Sequence, residues 1–309
     1  MAVQIMLGPQ SPRANLKNAI DTLSFNGPVV TITAGWRDFE AETDELQAEI
    51  GIPIEDLNLY HQAENIFALE PELHALQRER QDQLLELQRL YRIRLTPTMA
   101  AARKLLREKG EPDLLRLEQR AAISQVRALD RHHVRRISSI HQDFDTRRAE
   151  LFIPRAATLR QAIQRKVADS ALVLIAGGHV AVLINLIRLF RLAEVLAQKP
   201  IIAWSAGAMV LGERIVLFHD DAPQGKRDAE VLDTGLGIVK NVIPLPHAKS
   251  RLDWSSRTRM ALFSRRFAPA VCCTLDNGSM IQIESNRITS ASRSSVMMRT
   301  GWKKPVKAQ

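Results

Sequence analysis

Three short apolar runs, each followed at once by small residues and a helical segment, constrain the fold of this chain more than any other feature. The runs are GPVVTIT at residues 27–33, ALVLIA at 171–176 and PIIAW at 200–204. Strands buried on both faces read as continuous apolar runs, and their alternation with helices is typical of a parallel sheet. The sequence therefore predicts an α/β fold, in which helices flank a flavodoxin-like parallel sheet.

Further elements follow from the same patterns. Strands are predicted at residues 53–59, 239–244, 271–275 and 280–284, and a helix near 252–266. Asn277-Gly278 lies between the last two of these strands. Because Asn-Gly is a strong signal for a two-residue turn, the sequence predicts a β-hairpin there.

Residues 61–168 differ in character from the sequence on either side. Glycine is nearly absent, Leu, Gln, Arg and Glu dominate, and apolar residues recur at helical spacing. The pattern predicts amphipathic helices, with a new helix starting at Thr96-Pro97 as N-cap and first-turn proline. We expect a helical hairpin or short antiparallel coiled coil inserted into an α/β domain made of residues 1–60 and 169–292. Residues 293–309 are basic and are expected to form a flexible tail.

The net charge of +9 at pH 7 raises the question of nucleic-acid binding. By count, residues 61–168 hold 21 basic and 14 acidic side chains, so most of the excess lies on helices that carry both signs. A solvated charged face explains this composition, and no set of interleaved aromatic residues offers a stacking surface. The histidines of these helices, His74, His132, His133 and His141, are expected to be solvated too. The composition therefore argues against nucleic acid as a partner.

The cysteine content and the hydropathy pattern limit the remaining classes. Cys272 and Cys273 are adjacent, so neither a disulfide framework nor a multi-cysteine metal site is expected, and no cofactor is predicted. The first residues lack a basic stretch followed by an apolar run, and a cytoplasmic location is the expectation. Residues 171–187 carry no formal charge, but glycine, histidine and asparagine interrupt them. A buried strand, turn and helix fit this stretch better than a membrane span.

Ser205 is the sharpest functional signal. The run at 200–204 leads directly into this serine, and Ala206-Gly207-Ala208 then open a helix. Such a strand-to-helix turn needs small neighbours and exposes the hydroxyl at a helix N-terminus, where developing negative charge is stabilised. The Ala206 N–H is then a natural oxyanion donor, and the pair Gly177-Gly178 can supply a second one. The alternative is that Ser205 only caps the helix.

A nucleophilic serine needs a base, and His247 has the most suitable position. It follows the strand segment NVIPLP, so it lies at a strand end, where it can reach Ser205 across the rim of the sheet. His179, directly after the glycine pair, could line the same site, and His219 is a further candidate. A histidine that only stabilises a loop remains the alternative for His247.

Four ordered motifs resemble peptidase family S51, which includes dipeptidase E and cyanophycinase and has a fold akin to class I glutamine amidotransferases. They correspond to the glycine-rich loop, the nucleophile segment, the histidine segment and a late hairpin of that family. The motifs are IAGGHVAVLINLI (175–187), AWSAGAMVLGE (203–213), GLGIVKNVIPLPHAKSRLDWSSR (235–257) and CTLDNGSMIQI (273–283). The match covers about residues 169–288, with a weaker one at 27–50.

The resemblance implies a serine hydrolase that cleaves a peptide or small amide. Ser205 would be the nucleophile and His247 the base, with Gly178 and Ala206 as oxyanion donors. Family substrates include short peptides with acidic residues and arginine–aspartate polymers. Arg251, which follows the histidine, could hold a substrate carboxylate.

The chain departs from the family pattern at several positions. Ala203 replaces the usual glycine two positions before the nucleophile, and His179 stands where the glycine-rich loop usually has Asn or Ser, beside Gly177 in the expected substrate site. The carboxylate expected to orient the base falls on Asn277, with Asp276 one position earlier. Asp220 is a third candidate for that role.

Other functions remain open at this point. A degenerate family member could bind without hydrolysing, and residues 61–168 could then serve a protein partner or self-association. An α/β-hydrolase esterase would have the same order Ser205, Asp220, His247, but it requires a glycine before the serine. Nucleic-acid binding by the basic helices would predict retention that falls steeply with salt.

Overall fold

The computed structural model describes residues 2–220 and 227–308. A 3₁₀ helix lies at Ala34–Phe39. The other elements, in chain order, are β1 (Gln4–Leu7), α1 (Leu16–Asp21), β2 (Val29–Ile32), α2 (Asp44–Ile50), β3 (Glu55–Asp56), α3 (Leu59–Leu69), α4 (Pro71–Leu105), α5 (Pro112–Glu150), α6 (Pro154–Asp169), β4 (Leu172–Ile175), α7 (Val180–Leu189), α8 (Ala193–Leu196), β5 (Ile201–Trp204), α9 (Ala206–Leu211), β6 (Arg214–Leu217), β7 (Glu230–Thr234), β8 (Val242–Pro246), α10 (Ala248–Arg251), α11 (Arg257–Phe267), β9 (Val271–Leu275), β10 (Met280–Glu284), β11 (Arg287–Ser292), β12 (Ser295–Met297) and β13 (Lys303–Pro305).

A seven-stranded sheet forms the centre of the fold, in the order β11-β10-β1-β5-β4-β2-β3. The five strands from β1 to β3 in this order run parallel, and β10 and β11 add antiparallel pairs at one edge. Parallel neighbours need crossover connections, which helices supply here. The predicted α/β fold, with a parallel-rich sheet flanked by helices, is therefore confirmed.

Helices cover both faces of the sheet, because successive residues of a strand point to opposite sides. In β4, Val173 and Ile175 pack into one core with α7 and α9, whereas Leu172 and Leu174 pack into another with α1 and α2. All four side chains are fully buried. Burial on both faces explains why the parallel strands read as unbroken apolar runs.

The predicted hairpin around Asn277-Gly278 is wrong. β9 pairs with β8 and β12 in a separate sheet of order β13-β12-β9-β8, whereas β10 pairs with β1 and β11 in the main sheet. The Asn-Gly turn therefore carries the chain from one sheet to the other. The strand that sequence reasoning missed, β1, is the reason, since it takes the place beside β10.

The basic C-terminal segment has more regular structure than its composition indicates. β12 pairs with β9 through Val296 and Cys273, and β13 pairs with β12. The Ser264 hydroxyl of α11 donates to the Met297 carbonyl oxygen at 2.9 Å. These contacts hold part of the segment, which was expected to be flexible, against the small sheet and α11.

Four helices, α3 to α6, lie in the chain between β3 and β4, where inserted helices were predicted. α4 and α5 pack along an apolar seam that includes Leu95, Met99 and Val126. α4 continues through Pro97, so the predicted helix start at Thr96-Pro97 is wrong. An interior proline costs about 3 kcal/mol, and the buried seam on both sides of it offsets this cost. Within the described residues, no helix combines the length and the apolar character that crossing a bilayer requires.

A buried ion pair fixes the long helices to the α/β body. Arg266 of α11 is fully buried, and its guanidinium donates to both carboxylate oxygens of Asp130 in α5, at 2.7 and 2.8 Å. It also donates to the Tyr91 hydroxyl of α4 at 2.7 Å, and Tyr91 donates to Asp130 at 2.7 Å. One guanidinium thus connects α4, α5 and α11.

Two of the helix histidines are buried, contrary to the expectation that they are solvated. The His133 ring stacks on Tyr91 with 3.9 Å between centroids, and its Nε2 lies 3.1 Å from the Val231 carbonyl oxygen in β7. Burial lowers the pKa of His133 to about 4, so the ring is neutral at pH 7. His141 Nε2 lies 2.8 Å from an Asp233 carboxylate oxygen, also in β7. Both rings hold α5 against β7.

Replacing Asp130 tests how much this anchor stabilises the fold. Asp130→Ala leaves a buried guanidinium without its charge partner and should lower the free energy of unfolding by about 3–5 kcal/mol. Tyr91→Phe keeps the ion pair and should lower it by only about 1 kcal/mol. Urea denaturation followed by circular dichroism measures both, and equal small losses would contradict the anchoring role.

Candidate active site

Ser205 lies at a strained turn between β5 and α9. Its backbone has φ +52° and ψ −116°, a conformation that is unfavourable for a residue with a Cβ atom. The Ser205 N–H donates to the Leu7 carbonyl oxygen at 3.1 Å, which ties the turn to β1. Two residues further on, a Cβ on Gly207 would overlap the Ile175 carbonyl oxygen, so this position needs glycine. The small residues after the serine therefore allow α9 to pack closely on β4.

The glycine pair after β4 lies beside the serine. Gly177 packs against the Ser205 side chain, and Gly178 has φ +104° with no room for a Cβ beside the Gly35 carbonyl oxygen. The His179 N–H donates to that same oxygen at 2.8 Å. His179 Nδ1 accepts from the Val182 N–H at 3.3 Å, so this side chain caps α7. The loop is thus held between the 3₁₀ helix and the serine turn.

His247 comes directly after β8, at the end of the neighbouring small sheet. It has a left-handed backbone conformation with φ +58°, and its N–H donates to the Leu275 carbonyl oxygen of β9 at 3.1 Å. This geometry turns the ring toward the main sheet. The His247 Nε2 lies 3.4 Å from the Ser205 Oγ. The two residues that the sequence singled out, separated by 42 positions, are therefore brought together.

The charges around His247 favour the neutral ring. Partial burial lowers the pKa of the imidazole below its usual value of 6.5, the positive charge of Arg251 lowers it further, and the negative charge of Asp276 raises it. The net direction is downward. A neutral imidazole at pH 7 can accept a proton from a hydroxyl, as a general base must.

Of the three residues predicted as candidates to orient the His247 ring, two are held away from it. Asn277 donates its Nδ2 to the Pro9 carbonyl oxygen at 2.8 Å and to the Arg13 carbonyl oxygen at 3.1 Å, so it fixes the turn to the N-terminal loop. Asp220 is buried and forms an ion pair with Arg259 of α11. Both side chains are engaged in structural contacts.

Asp276 is the candidate whose charge reaches the His247 ring. Its carboxylate accepts from the Lys249 N–H at 2.7 Å, in the first turn of α10. The interaction with the ring is electrostatic, since the described residues include no hydrogen bond between the Asp276 carboxylate and the imidazole. Asp276 therefore supplies the negative charge, one position before Asn277, which the family motif indicates.

A cavity of about 380 Å³ opens beside Ser205. The residues that line it include Arg92, Gly178, Ser205, Ala206, Phe218, His219, Glu230 and Arg251. Of the residues predicted for substrate binding, Arg251 lines this cavity, whereas Gly177 contacts the serine and His179 caps a helix. The described residues contain no group of three His, Cys, Asp or Glu side chains that could hold a metal ion.

The wall contributed by the long helices was missed by sequence reasoning. Arg92 of α4 donates to a Glu230 carboxylate oxygen at 2.7 Å, and Gln88 of the same helix donates to it at 2.9 Å. Arg103, also in α4, forms an ion pair with Asp228, two positions before Glu230. α4 therefore closes one side of the cavity through β7. Because α4 contains many charged residues, no sequence pattern distinguishes Arg92 from the arginines of this helix that face solvent.

These features define a class of protein: an α/β fold in which a serine at a strained strand-to-helix turn faces a histidine, the arrangement expected of a serine-type hydrolase. A family model narrows the class. The model of peptidase family S51 matches residues 124–291, which is more than half of the chain, and the protein belongs to that family.

The other comparisons are more distant. The crystal structure of a peptidase from an acI-B1 actinobacterium is similar with a TM-score of 0.47 and 12% sequence identity, over 100% of this chain and 95% of the other. No curated protein matches the sequence.

The charges beside His247 predict a pH dependence for the reactivity of Ser205. Reaction of the hydroxyl with a fluorophosphonate requires the neutral ring, so the labelling rate should persist below pH 6.5 and fall only at lower pH. Arg251→Gln removes the cation that lowers the pKa and should move this fall to higher pH. Asp276→Asn removes the anion that raises it and should move the fall to lower pH.

The matched control is His219→Gln, in the same cavity. This substitution leaves the groups that shift the pKa of His247 in place, so the pH of the fall should not change. Labelling rates measured from pH 4 to 9 give the position of the fall independently of its height. Shifts of Arg251→Gln and Asp276→Asn in the same direction would contradict the electrostatic account.

Proposed function

We propose that this protein is a serine hydrolase that cleaves a peptide or small amide bond through an acyl-enzyme on Ser205. The observation that carries the proposal is the 3.4 Å distance between the Ser205 Oγ and the His247 Nε2 at the strained turn. Membership of peptidase family S51 supports the hydrolytic chemistry. A serine that only capped α9 would need no such neighbour, and its hydroxyl makes no cap hydrogen bond.

The proposed reaction uses the imidazole as base and then as acid. His247 Nε2 takes the proton of the Ser205 hydroxyl while the Oγ attacks the amide carbonyl carbon. The protonated ring then gives this proton to the leaving amine nitrogen as the C–N bond breaks. Water, deprotonated by the same ring, attacks the ester and restores the serine.

Backbone N–H groups are proposed to stabilise the oxyanion. Ala206 supplies one from the first turn of α9, and Gly178 supplies the other from the glycine loop; both residues line the cavity beside Ser205. Their positions are fixed by the close contacts of Gly178 with Gly35 and of Gly207 with β4. Pre-oriented donors of this kind strengthen as negative charge develops on the substrate oxygen.

We propose that the substrate is short and carries a carboxylate. Arg251 lines the cavity and is partly buried, so it can pair with a carboxylate away from bulk water. The contact between Arg92 and Glu230 closes the side of the cavity formed by α4. A cleft closed on one side suits a short peptide better than an extended chain.

A binding protein without hydrolytic activity is the second candidate. The observation in its favour is that the Asp276 carboxylate does not bond the His247 ring, and the long helices would then provide the working surface, for a protein partner or for self-association. This role of residues 61–168 and the cytoplasmic location stay predictions.

A serine-reactive probe separates the two candidates. A fluorophosphonate should label the wild-type protein, and Ser205→Ala should abolish the label. His247→Ala should slow labelling by about 10³-fold or more, because the nucleophile and the base act as a unit. Ser138→Ala, an exposed serine of α5, is the control and should label normally. A wild-type protein that stays unlabelled would support the binding protein.

Substitution of Arg251 tests the proposed substrate class. Arg251→Gln should lower kcat/KM for a short aspartate-containing peptide by about 10–100-fold, the effect of losing one charge-assisted hydrogen bond in a partly buried site. The alanine analogue of the peptide should be affected much less. Arg257→Gln is the control, since that guanidinium stacks on Trp302, 4.0 Å from the ring centre. Chromatographic analysis of the products measures both rates, and equal losses on both peptides would exclude carboxylate recognition by Arg251.

A further inference from the structure

A second cavity, of about 510 Å³, lies where α4, α5, α6 and α7 meet. The described residues that line it are different from those beside Ser205. Its charged residues are Arg80, Arg160, Arg188, Arg191, Asp145 and Glu194. Four guanidinium groups against two carboxylates leave a net charge of +2 on its walls.

Two buried donors of this cavity lack hydrogen-bond partners within the part of the chain that the structure describes. Arg80 is 3% exposed, its Nε has no hydrogen-bond partner among the described residues, and its Nη2 makes a long contact of 3.5 Å with the Asn185 side-chain oxygen. The Arg188 Nε is also buried, and no described residue bonds to it. Folded proteins contain few buried donors of this kind, because an unmade hydrogen bond is destabilising. Two guanidinium groups with free N–H donors therefore meet in one cavity.

The fold holds these like charges together. The Arg80 guanidinium lies 4.1 Å from the centre of the Phe144 ring, and Arg188 donates to both the carbonyl and the hydroxyl oxygen of Thr234 at 2.6 Å. Burial, together with the positive charge of Arg188, lowers the pKa of Arg80 to about 10, although the negative charges of Asp233 and Asp145 raise it. Arg188 also lies 3.6 Å from an Asp233 carboxylate oxygen, which is shared with His141. Packing, neutral acceptors and this one shared carboxylate keep the cations in place.

We propose that this cavity binds the phosphate group of a small phosphorylated molecule. A phosphate monoester carries a charge near −2 at pH 7, which balances the walls, and its oxygens accept from guanidinium donors in pairs. Phosphate alone would fill only part of the space, and cavities of this size hold an organic ligand up to a nucleotide. The enclosure by four helices favours a small molecule over a polymer. The site is independent of the hydrolase proposed above.

Titration calorimetry of the full-length protein with inorganic phosphate, pyrophosphate and ADP tests the proposal. Pyrophosphate and ADP should each bind at one site per chain, and succinate, a dicarboxylate of similar charge, should bind at least about tenfold more weakly. The double variant Arg160→Gln/Arg191→Gln changes a half-buried and an exposed lining residue, so the fold should be kept. It should weaken both ligands by at least about tenfold.

Arg165→Gln is the matched control, because it removes an exposed arginine of the same helix α6 that does not line the cavity. It should leave the affinity within about twofold. Ser205→Ala should bind as the wild type does, which keeps this result separate from the test of hydrolysis. Absence of binding for all three phosphates, succinate binding as tightly as pyrophosphate, or an equal loss with Arg165→Gln would each overturn the proposal.

Discussion

The close packing of the serine turn on its neighbouring strands is the constraint on which the candidate site depends. A positive φ at a residue with a Cβ atom costs about 1–2 kcal/mol. Ser205 retains this conformation because contacts on both sides of the turn after β5 fix the backbone. On one side the Ser205 N–H is bonded to the Leu7 carbonyl oxygen, and on the other Gly207 lies against the Ile175 carbonyl oxygen. Both partners belong to strands buried on two faces. The buried strands of the sheet thus determine the orientation of the Ser205 hydroxyl. His247, at the end of β8, lies within 3.4 Å of it.

Much of the fold follows from local sequence because burial on both faces leaves a continuous apolar pattern in β2, β4 and β5. β1 was missed because it lies near the chain start and no helix of clear periodicity follows it. That one omission also explains the wrong hairpin. The turn chemistry of Asn277-Gly278 is realised, with the Ser279 N–H donating to the Asp276 carbonyl oxygen at 2.9 Å. A turn signal does not identify the partner of the strand that follows it, and here β10 pairs with β1.

The pair Ser205 and His247 could be predicted because each residue directly follows a strand. The two strands belong to different sheets, however, since β5 lies in the seven-stranded sheet and β8 in the four-stranded one, so the residues meet between two sheets and not at the rim of one. The choice between Asp276 and Asn277 could not be predicted, since it depends on which way each side chain points from one turn. Asn277 points to the N-terminal loop, and the Asp276 charge acts on the ring. Arg92 could not be found either. The helical pattern of α4 is the same whether an arginine faces water or faces a carboxylate such as Glu230 across a cavity.

The opposing charges beside His247 connect the proposed substrate with the proposed chemistry. In the free protein, Arg251 lowers the pKa of the imidazole and Asp276 raises it. A substrate carboxylate paired with Arg251 would balance the positive charge, so the pKa of the ring would rise toward its usual value. The ring would then hold more firmly the proton that it takes from Ser205. An acidic substrate would therefore strengthen the base that attacks it, whereas a neutral peptide would leave the full effect of Arg251 in place.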